Sequence, residues 1–129
     1  MRNTNRLPLI VLLGLSGAAS AQTLPVPVPD ALSAGWKGQP TCKMLHEDAS
    51  MRFIQCDFPP GAGHEKHFHP AHYNYVLRGG KARVTTAAGT RDTELVSGSV
   101  RMNPAIEWHE VVNLGDAPLS FLIVEPRVR

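Results

Sequence analysis

The sequence predicts an all-β domain, an antiparallel sandwich or barrel, and three observations support this. Short runs of strand-forming residues recur at a spacing of about 8–12 residues and end at turn signals. Glycine and proline each occur 11 times in 129 residues, which is typical of many short elements joined by turns. After residue 21 no stretch shows a helical period over three turns.

The first 21 residues are predicted to be a signal peptide rather than part of the fold. Arg2 and Arg6 precede an apolar run over residues 7–15, which is too short to cross a bilayer, and residues 19–21 read Ala-Ser-Ala like a cleavage site. The alternative is an uncleaved anchor. Cleavage predicts an exported protein, periplasmic or secreted in a bacterium.

Charge and composition exclude several partners of the processed chain. The sequence has 13 basic residues against 11 acidic ones, and loss of Arg2 and Arg6 leaves 11 of each. A neutral chain gives no reason to expect binding to nucleic acid, or to membranes once the signal is removed. Neither a nucleophile elbow nor a phosphate-binding glycine loop occurs in the sequence.

The processed chain is divided into two parts. Residues 22–45 are predicted to form an extended arm and a first strand, because alternating prolines at the start resist helix and central strand alike. Residues 46–129 are predicted to form the barrel domain. Its strands are expected over 51–57, 72–77, 81–86, 90–96, 106–114 and 119–125.

Cys42 and Cys56 are the only cysteines and are predicted to form a disulfide. An exported chain meets an oxidising compartment. A hairpin symmetric about Ala49 would place the two cysteines opposite each other, at the close approach a disulfide requires. Such a bridge is worth about 3 kcal/mol by chain-entropy reasoning. The alternative is a pair of unlinked buried thiols.

Four of the six histidines lie between residues 64 and 72, and they indicate a metal site. In a strand, side chains two residues apart share one face, so His67 and His69 project together. The bend at residues 70–71 lets His72 return to that face. Imidazole binds Zn, Fe, Cu, Ni and Mn. His46 is expected to be an ordinary surface residue.

The chain resembles the cupin superfamily in two spaced motifs. In the first, Gly61 is followed by five residues and then by His67-Phe68-His69; counting back six residues from Gly79 puts His72 where the family has a glutamate. In the second, Gly98 is followed by five residues, then Pro104, His109 and Asn113 at the family's spacing. Ile106 replaces the glycine that follows the proline in the family pattern.

The resemblance implies a small antiparallel jelly-roll β-barrel with a metal inside it. The ligands it implies are His67, His69 and His109, with His72 in place of the glutamate. Loss of that negative charge favours Fe, Zn, Cu, Ni or Mn over Mg or Ca. Alternatively His72 does not bind the ion, and three histidines leave open positions, as at catalytic metals.

Three further residues are weaker candidates for the same site. Glu107 is expected on the face of the last-but-one strand that carries His109, as a general base or a partner of an imidazole; the alternative is a rim carboxylate in a salt bridge. His64 is expected in a loop near the mouth, as a ligand or base. Asn74 follows His72 by two residues and is expected to line the pocket.

Two classes of function remain open from the sequence. One is a metal-dependent oxygenase or isomerase acting on a small organic molecule. The other is a non-catalytic module that carries a metal or small ligand, or a barrel stabilised by structural Zn. The resemblance fixes the fold more firmly than the reaction, because this fold hosts many functions. From the same resemblance we expect the chain to form a homodimer.

Overall fold

The computed structural model describes residues 25–127, which form eleven β-strands and no helix. The all-β class is therefore confirmed. The proposed signal peptide, residues 1–21, lies outside the described residues. Within residues 25–127 there is no helix of the length and hydropathy needed to cross a membrane. The strands are β1 Gly35–Trp36, β2 Gln39–Pro40, β3 Cys42–Glu47, β4 Met51–Phe58, β5 Gly63–His69, β6 His72–Arg78, β7 Gly80–Thr86, β8 Gly89–Leu95, β9 Val100–Asn103, β10 Ile106–Asn113 and β11 Leu119–Pro126.

The strands form two main antiparallel sheets and one small hairpin. One sheet has the order β5-β10-β7-β8 and the other the order β3-β4-β11-β6-β9, while β1 pairs only with β2. Consecutive strands often lie in different sheets, so the chain repeatedly crosses between them. Within the described part of the predicted arm, Pro29 contacts β5, since the amide of Phe68 donates to its carbonyl.

The core lies between the sheets and is built chiefly by alternation along β4 and β11. In β11, Leu119, Phe121 and Ile123 are buried while the residues between them are half-buried. Ile54 and Phe58 of β4 pack against them. Each such side chain is worth roughly 1.5–3 kcal/mol on burial, which explains why β11 occupies the middle of its sheet, paired on both sides.

The disulfide between Cys42 and Cys56 is present, and the two residues face each other as predicted, with their Cα atoms 4.0 Å apart. The hairpin is not symmetric throughout. Glu47 pairs with Arg52, one residue out of step with the cysteines, and a bulge at Leu45 absorbs the difference. The predicted boundary between residues 45 and 46 consequently falls inside β3, which belongs to the five-stranded sheet.

Candidate metal centre

A cavity of about 380 Å³ lies between the two sheets and receives side chains from both. Its wall is mostly apolar, with contributions from β6, β7, β10 and β11. Five of the six histidines also line it. The exception is His46, which is exposed and pairs with Asp48, as expected of a surface residue. The lining histidines are His64, His67, His69, His72 and His109.

Three of these histidines bring their ring nitrogens together. The Nε2 atom of His67 lies 3.0 Å from Nε2 of His69 and 2.9 Å from Nε2 of His109. The ligand atoms of all three lie within 4.8 Å of one another. His67 and His69 are buried on β5, and His109 reaches them from β10, the strand paired to it. Two segments some forty residues apart in sequence therefore share one site.

Hydrogen bonds fix which nitrogen of two rings faces the site. The Nδ1 atom of His67 donates to the backbone carbonyl of Glu65 at 2.6 Å, and Nδ1 of His69 donates to the carboxylate of Glu125 at 3.0 Å. A neutral imidazole has one N–H, so both Nε2 atoms carry lone pairs. Two lone pairs that face each other at 3.0 Å repel unless a cation lies between them.

Burial keeps these imidazoles in the neutral form that binds metals. Desolvation, with a smaller effect from neighbouring imidazoles, lowers the pKa of His67 to about 4 and the pKa values of His69 and His109 to about 2. At neutral pH the three rings are therefore unprotonated and need no deprotonation before they bind an ion. The donor set and the charge state both fit a divalent transition metal.

Glu125 is a candidate site residue that the sequence analysis missed. It lies near the end of β11, is buried, and accepts the hydrogen bond from His69. Its second oxygen lies 3.5 Å from the guanidinium of Arg52, which also pairs with Asp30 at 3.0 Å. Burial raises the pKa of Glu125, and Arg52 opposes that rise. A buried carboxylate behind a ligand imidazole is the usual way to orient a metal-binding histidine.

His72 lies beside the three-histidine cluster rather than in it. Its ring packs against that of His69, with centroids 4.3 Å apart. Its Nδ1 atom donates to the carbonyl of Pro70 at 2.9 Å, and its Nε2 atom accepts from the amide of Asn103 at 3.3 Å. Both ring nitrogens therefore have protein partners, and the described structure favours the alternative in which three histidines leave open positions.

His64 is not in a loop at the mouth, contrary to expectation. It is buried in β5, where its ring stacks on that of His67 at 3.7 Å between centroids, and the sulfur of Cys42 lies 3.7 Å from its Nε2 atom. A register shift in the pairing with β10 lies between His64 and His67 and turns both side chains inward. Burial also lowers the pKa of His64 to about 4.

Glu107 does not share a face with His109, so that expectation is wrong. The pairing of β10 with β5 shifts by one residue between Ile106 and His109. Both of those residues consequently line the cavity, and Glu107, between them, is exposed and absent from its wall. A bulge of this kind reverses the alternation on which the expectation depended.

Asn74 lies where the sequence analysis placed it, on the cavity wall two residues after His72. Its amide oxygen is buried and has no hydrogen-bond partner among residues 25–127. Asn113, the last residue of the second motif, has a structural role instead: its side chain binds the carbonyls of Phe58 and Ala117 and the amide of Gly115.

The comparisons with known proteins agree with this architecture. The family profile described as "Cupin domain" matches residues 54–125. Among solved structures, the chain is similar to a cupin domain from Bordetella pertussis, with 20% identity and a TM-score of 0.63 over 81% of this chain and 100% of the other. No curated protein matches the chain.

Two further structures show the same fold. A cupin-like protein from Thermotoga maritima is 25% identical, with a TM-score of 0.55 over 67% of this chain and 68% of that one. The polyketide cyclase RemF from Streptomyces resistomycificus is 24% identical, with a TM-score of 0.57 over 78% of this chain and 70% of that one. Because the family profile covers more than half of the sequence, the chain belongs to the cupin superfamily.

Proposed function

We propose that this cupin binds one divalent transition metal ion through His67, His69 and His109, and that the ion acts on a small organic molecule held in the cavity. The observation that carries the proposal is the convergence of Nε2 atoms at 2.9 and 3.0 Å, with the Nδ1 atoms of two rings already bonded to the protein. A cation removes the lone-pair repulsion within this cluster. The jelly-roll closure of the barrel is part of the same proposal.

The three imidazole nitrogens favour some metal ions over others. Three neutral imidazoles suit Fe, Zn, Cu, Ni or Mn, whereas Mg and Ca prefer oxygen ligands. The carboxylate of Glu125 supplies negative charge one step behind His69 without contacting the ion itself. This arrangement raises the basicity of one ligand and leaves the positive charge of the ion available to a substrate.

The site has the features of a reactive centre rather than a closed structural one. Three protein ligands leave coordination positions free, and the adjoining cavity has room for a small molecule. When bound, the ion supplies Lewis acidity or a place for dioxygen. The residues of the chain would orient the ligand rings through Glu65 and Glu125 and shield the site from water with apolar walls from both sheets.

A non-catalytic carrier of a metal or small ligand is the second candidate, and one observation favours it. Among the residues that line the cavity, the only carboxylate is Glu94. Strand alternation places Glu94 on the opposite face of β8 from its lining neighbours Thr93 and Leu95. The described cavity therefore offers no acid–base pair apart from its histidines, which a carrier does not need.

The test is metal content measured on matched variants. Protein purified from its native compartment is expected to contain one ion per chain by elemental analysis. His67→Ala and His109→Ala should lose the ion, whereas His46→Ala, which changes an exposed histidine outside the cavity, should keep it. Equal metal content in all four proteins, or none in the wild type, would contradict the proposal.

A second measurement separates the two candidate functions from a structural metal. Azide added to the Co²⁺-substituted protein should change its visible spectrum, because an open position accepts the anion. A four-coordinate site with no exchangeable ligand would leave the spectrum unchanged and indicate a structural ion. Export and homodimer formation stay predictions, to be tested by the cellular fraction in which the protein is found and by its mass in solution.

A further inference from the structure

We propose that Arg91 and Arg101 form an anion-binding subsite at this cavity, and that the molecule presented to the metal is a small carboxylic acid with an apolar body. This inference rests on the proposed metal function, since it names the class of ligand for the same cavity. It adds two residues whose identity neither motif specifies and which come from strands outside the histidine cluster.

The two arginines approach the cavity from opposite sheets. Arg91 lies on β8, at one edge of the four-stranded sheet, and Arg101 lies on β9, at one edge of the five-stranded sheet. Both line the cavity that the histidines line. Along β9, Arg101 shares a face with Asn103, whose amide contacts His72. About 7 Å of strand separates these two residues, a distance that a small acid can cover.

The charges of these arginines are free to bind a ligand. Among residues 25–127, Arg52, Arg83 and Arg127 each form an ion pair, but neither Arg91 nor Arg101 does. Arg83 is the informative contrast, because it lies on β7, next to β8, and its guanidinium is held by Asp92 at 2.7 and 3.0 Å. Its charge is neutralised outside the cavity.

The cavity as a whole favours an anion. Its lining contains two arginines and one carboxylate, Glu94, and a bound divalent ion would add two positive charges. A carboxylate is matched by the planar fork of a guanidinium, which binds it through two parallel hydrogen bonds.

The other residues of the cavity wall indicate the chemistry expected of the uncharged part of the ligand. Val84 and Val111 come from one sheet, and Val76, Phe121 and Ile123 from the other, so both sheets contribute apolar surface to the cavity wall. Asn74 pairs in register with Arg101 and has a buried amide oxygen without a partner among the described residues. A hydroxyl or N–H group on the ligand would satisfy that oxygen.

The test compares acids with their uncharged amides on the metal-loaded protein. The probes are acetate with acetamide and phenylacetate with phenylacetamide, measured by calorimetry or ligand-observed NMR up to millimolar concentration. We expect phenylacetate to bind at least tenfold more tightly than phenylacetamide, because charge-assisted hydrogen bonds exceed neutral ones by about that factor. Acetate, which lacks the apolar body, should bind more weakly than phenylacetate.

The assignment to residues needs matched variants. Arg101→Gln and Arg91→Gln should each weaken phenylacetate binding about tenfold and leave phenylacetamide unchanged. Arg83→Gln removes the same charge outside the cavity and should leave both affinities unchanged. The inference is overturned if acid and amide bind alike, if no acid binds, or if the variants of Arg91 and Arg101 behave like Arg83→Gln.

The two proposals can fail separately. A stoichiometric metal lost in His67→Ala, together with no preference for acids, would retain the metal function and reject the anion subsite. If the wild-type protein proves to bind no metal but still prefers acids in a way that depends on Arg91 and Arg101, the subsite is supported and the metal function is rejected.

Discussion

Glu125 offers the sharpest test of how the proposed metal site is organised, because it contacts the proposed ligand His69 without being a proposed ligand itself. Its carboxylate accepts from Nδ1 of His69 at 3.0 Å, and both side chains are almost fully buried, at 3% and 2% exposure. That bond holds the ring so that Nε2 points at His67. Loss of such a partner typically weakens metal binding by about 10- to 100-fold.

Two substitutions of Glu125 separate the effect of its charge from the effect of its acceptor oxygen. Glu125→Gln keeps an acceptor oxygen near the same place and removes the charge, so we expect a loss of about tenfold in metal affinity. Glu125→Leu also removes the acceptor and leaves a buried N–H without a partner, so we expect about 100-fold. The measurement is competition for metal against a chromophoric chelator, with circular dichroism as the check on folding.

The matched control is Asp30→Asn. Asp30 accepts a hydrogen bond from Nη1 of Arg52, the atom that also lies nearest Glu125, and it caps the turn through the amide of Ser33. It forms no hydrogen bond with a proposed ligand among the described residues. It should lower stability without changing metal affinity. A folded Glu125→Leu protein whose metal affinity stays within about twofold of wild type would refute the orienting role.

Four further predictions follow from the fold and the site. Cys42→Ser with Cys56→Ser should lower stability by about 3 kcal/mol in chemical denaturation, and no change would show that the disulfide is absent or unimportant. The metal-free protein should lose stability as pH falls from about 6.5 towards 4, because the unfolded histidines protonate while His64 and His67, with pKa values of about 4, do not. Metal release should likewise begin below pH 6.5, the value that ordinary histidines would give, and a midpoint at 6.5 would contradict buried ligands. Gly63→Ala should destabilise strongly, since an added Cβ would overlap the carbonyl oxygen of Val111 across the β5–β10 pair, whereas Gly115→Ala has space and should change the melting temperature little.

The part of the site that follows from strand periodicity or from motif spacing could be predicted from the sequence. His67 and His69 share a face because they are two residues apart, and His109 was placed by the second motif. The Cys42–Cys56 pairing was predicted by assuming a hairpin symmetric about Ala49, and the observed pairing follows that symmetry near the disulfide. The six strands expected after residue 50 all occur, and no end differs from the prediction by more than one residue.

The failures have a common physical cause, which is a change of register. One shift between Ile106 and His109 turns Glu107 outward, and another between His64 and His67 turns His64 inward. A bulge inserts one residue into one strand, and nothing in the local sequence marks it when no glycine is present. The bulge at Leu45 shows the same effect in the first hairpin.

Other residues were missed because their role depends on a distant partner. In the sequence, Glu125 is a single glutamate near the end of a strand, which is a pattern typical of a surface residue. The fold places it against His69, which is 56 residues away in sequence. The cavity position of Arg91 likewise depends on which strand forms the edge of its sheet. The short strand β9 is four residues long and carries an arginine in its centre, so its pattern was too weak to predict.

X-ray absorption spectroscopy of the metal-loaded protein tests the three-histidine site most directly. Three imidazole nitrogens at about 2.0–2.1 Å and at least one exchangeable oxygen are expected around the ion, with the imidazole signal reduced in His109→Ala and unchanged in His46→Ala. An ion surrounded only by oxygen or sulfur, or a spectrum that His109→Ala leaves unaltered, would show that these rings do not hold it.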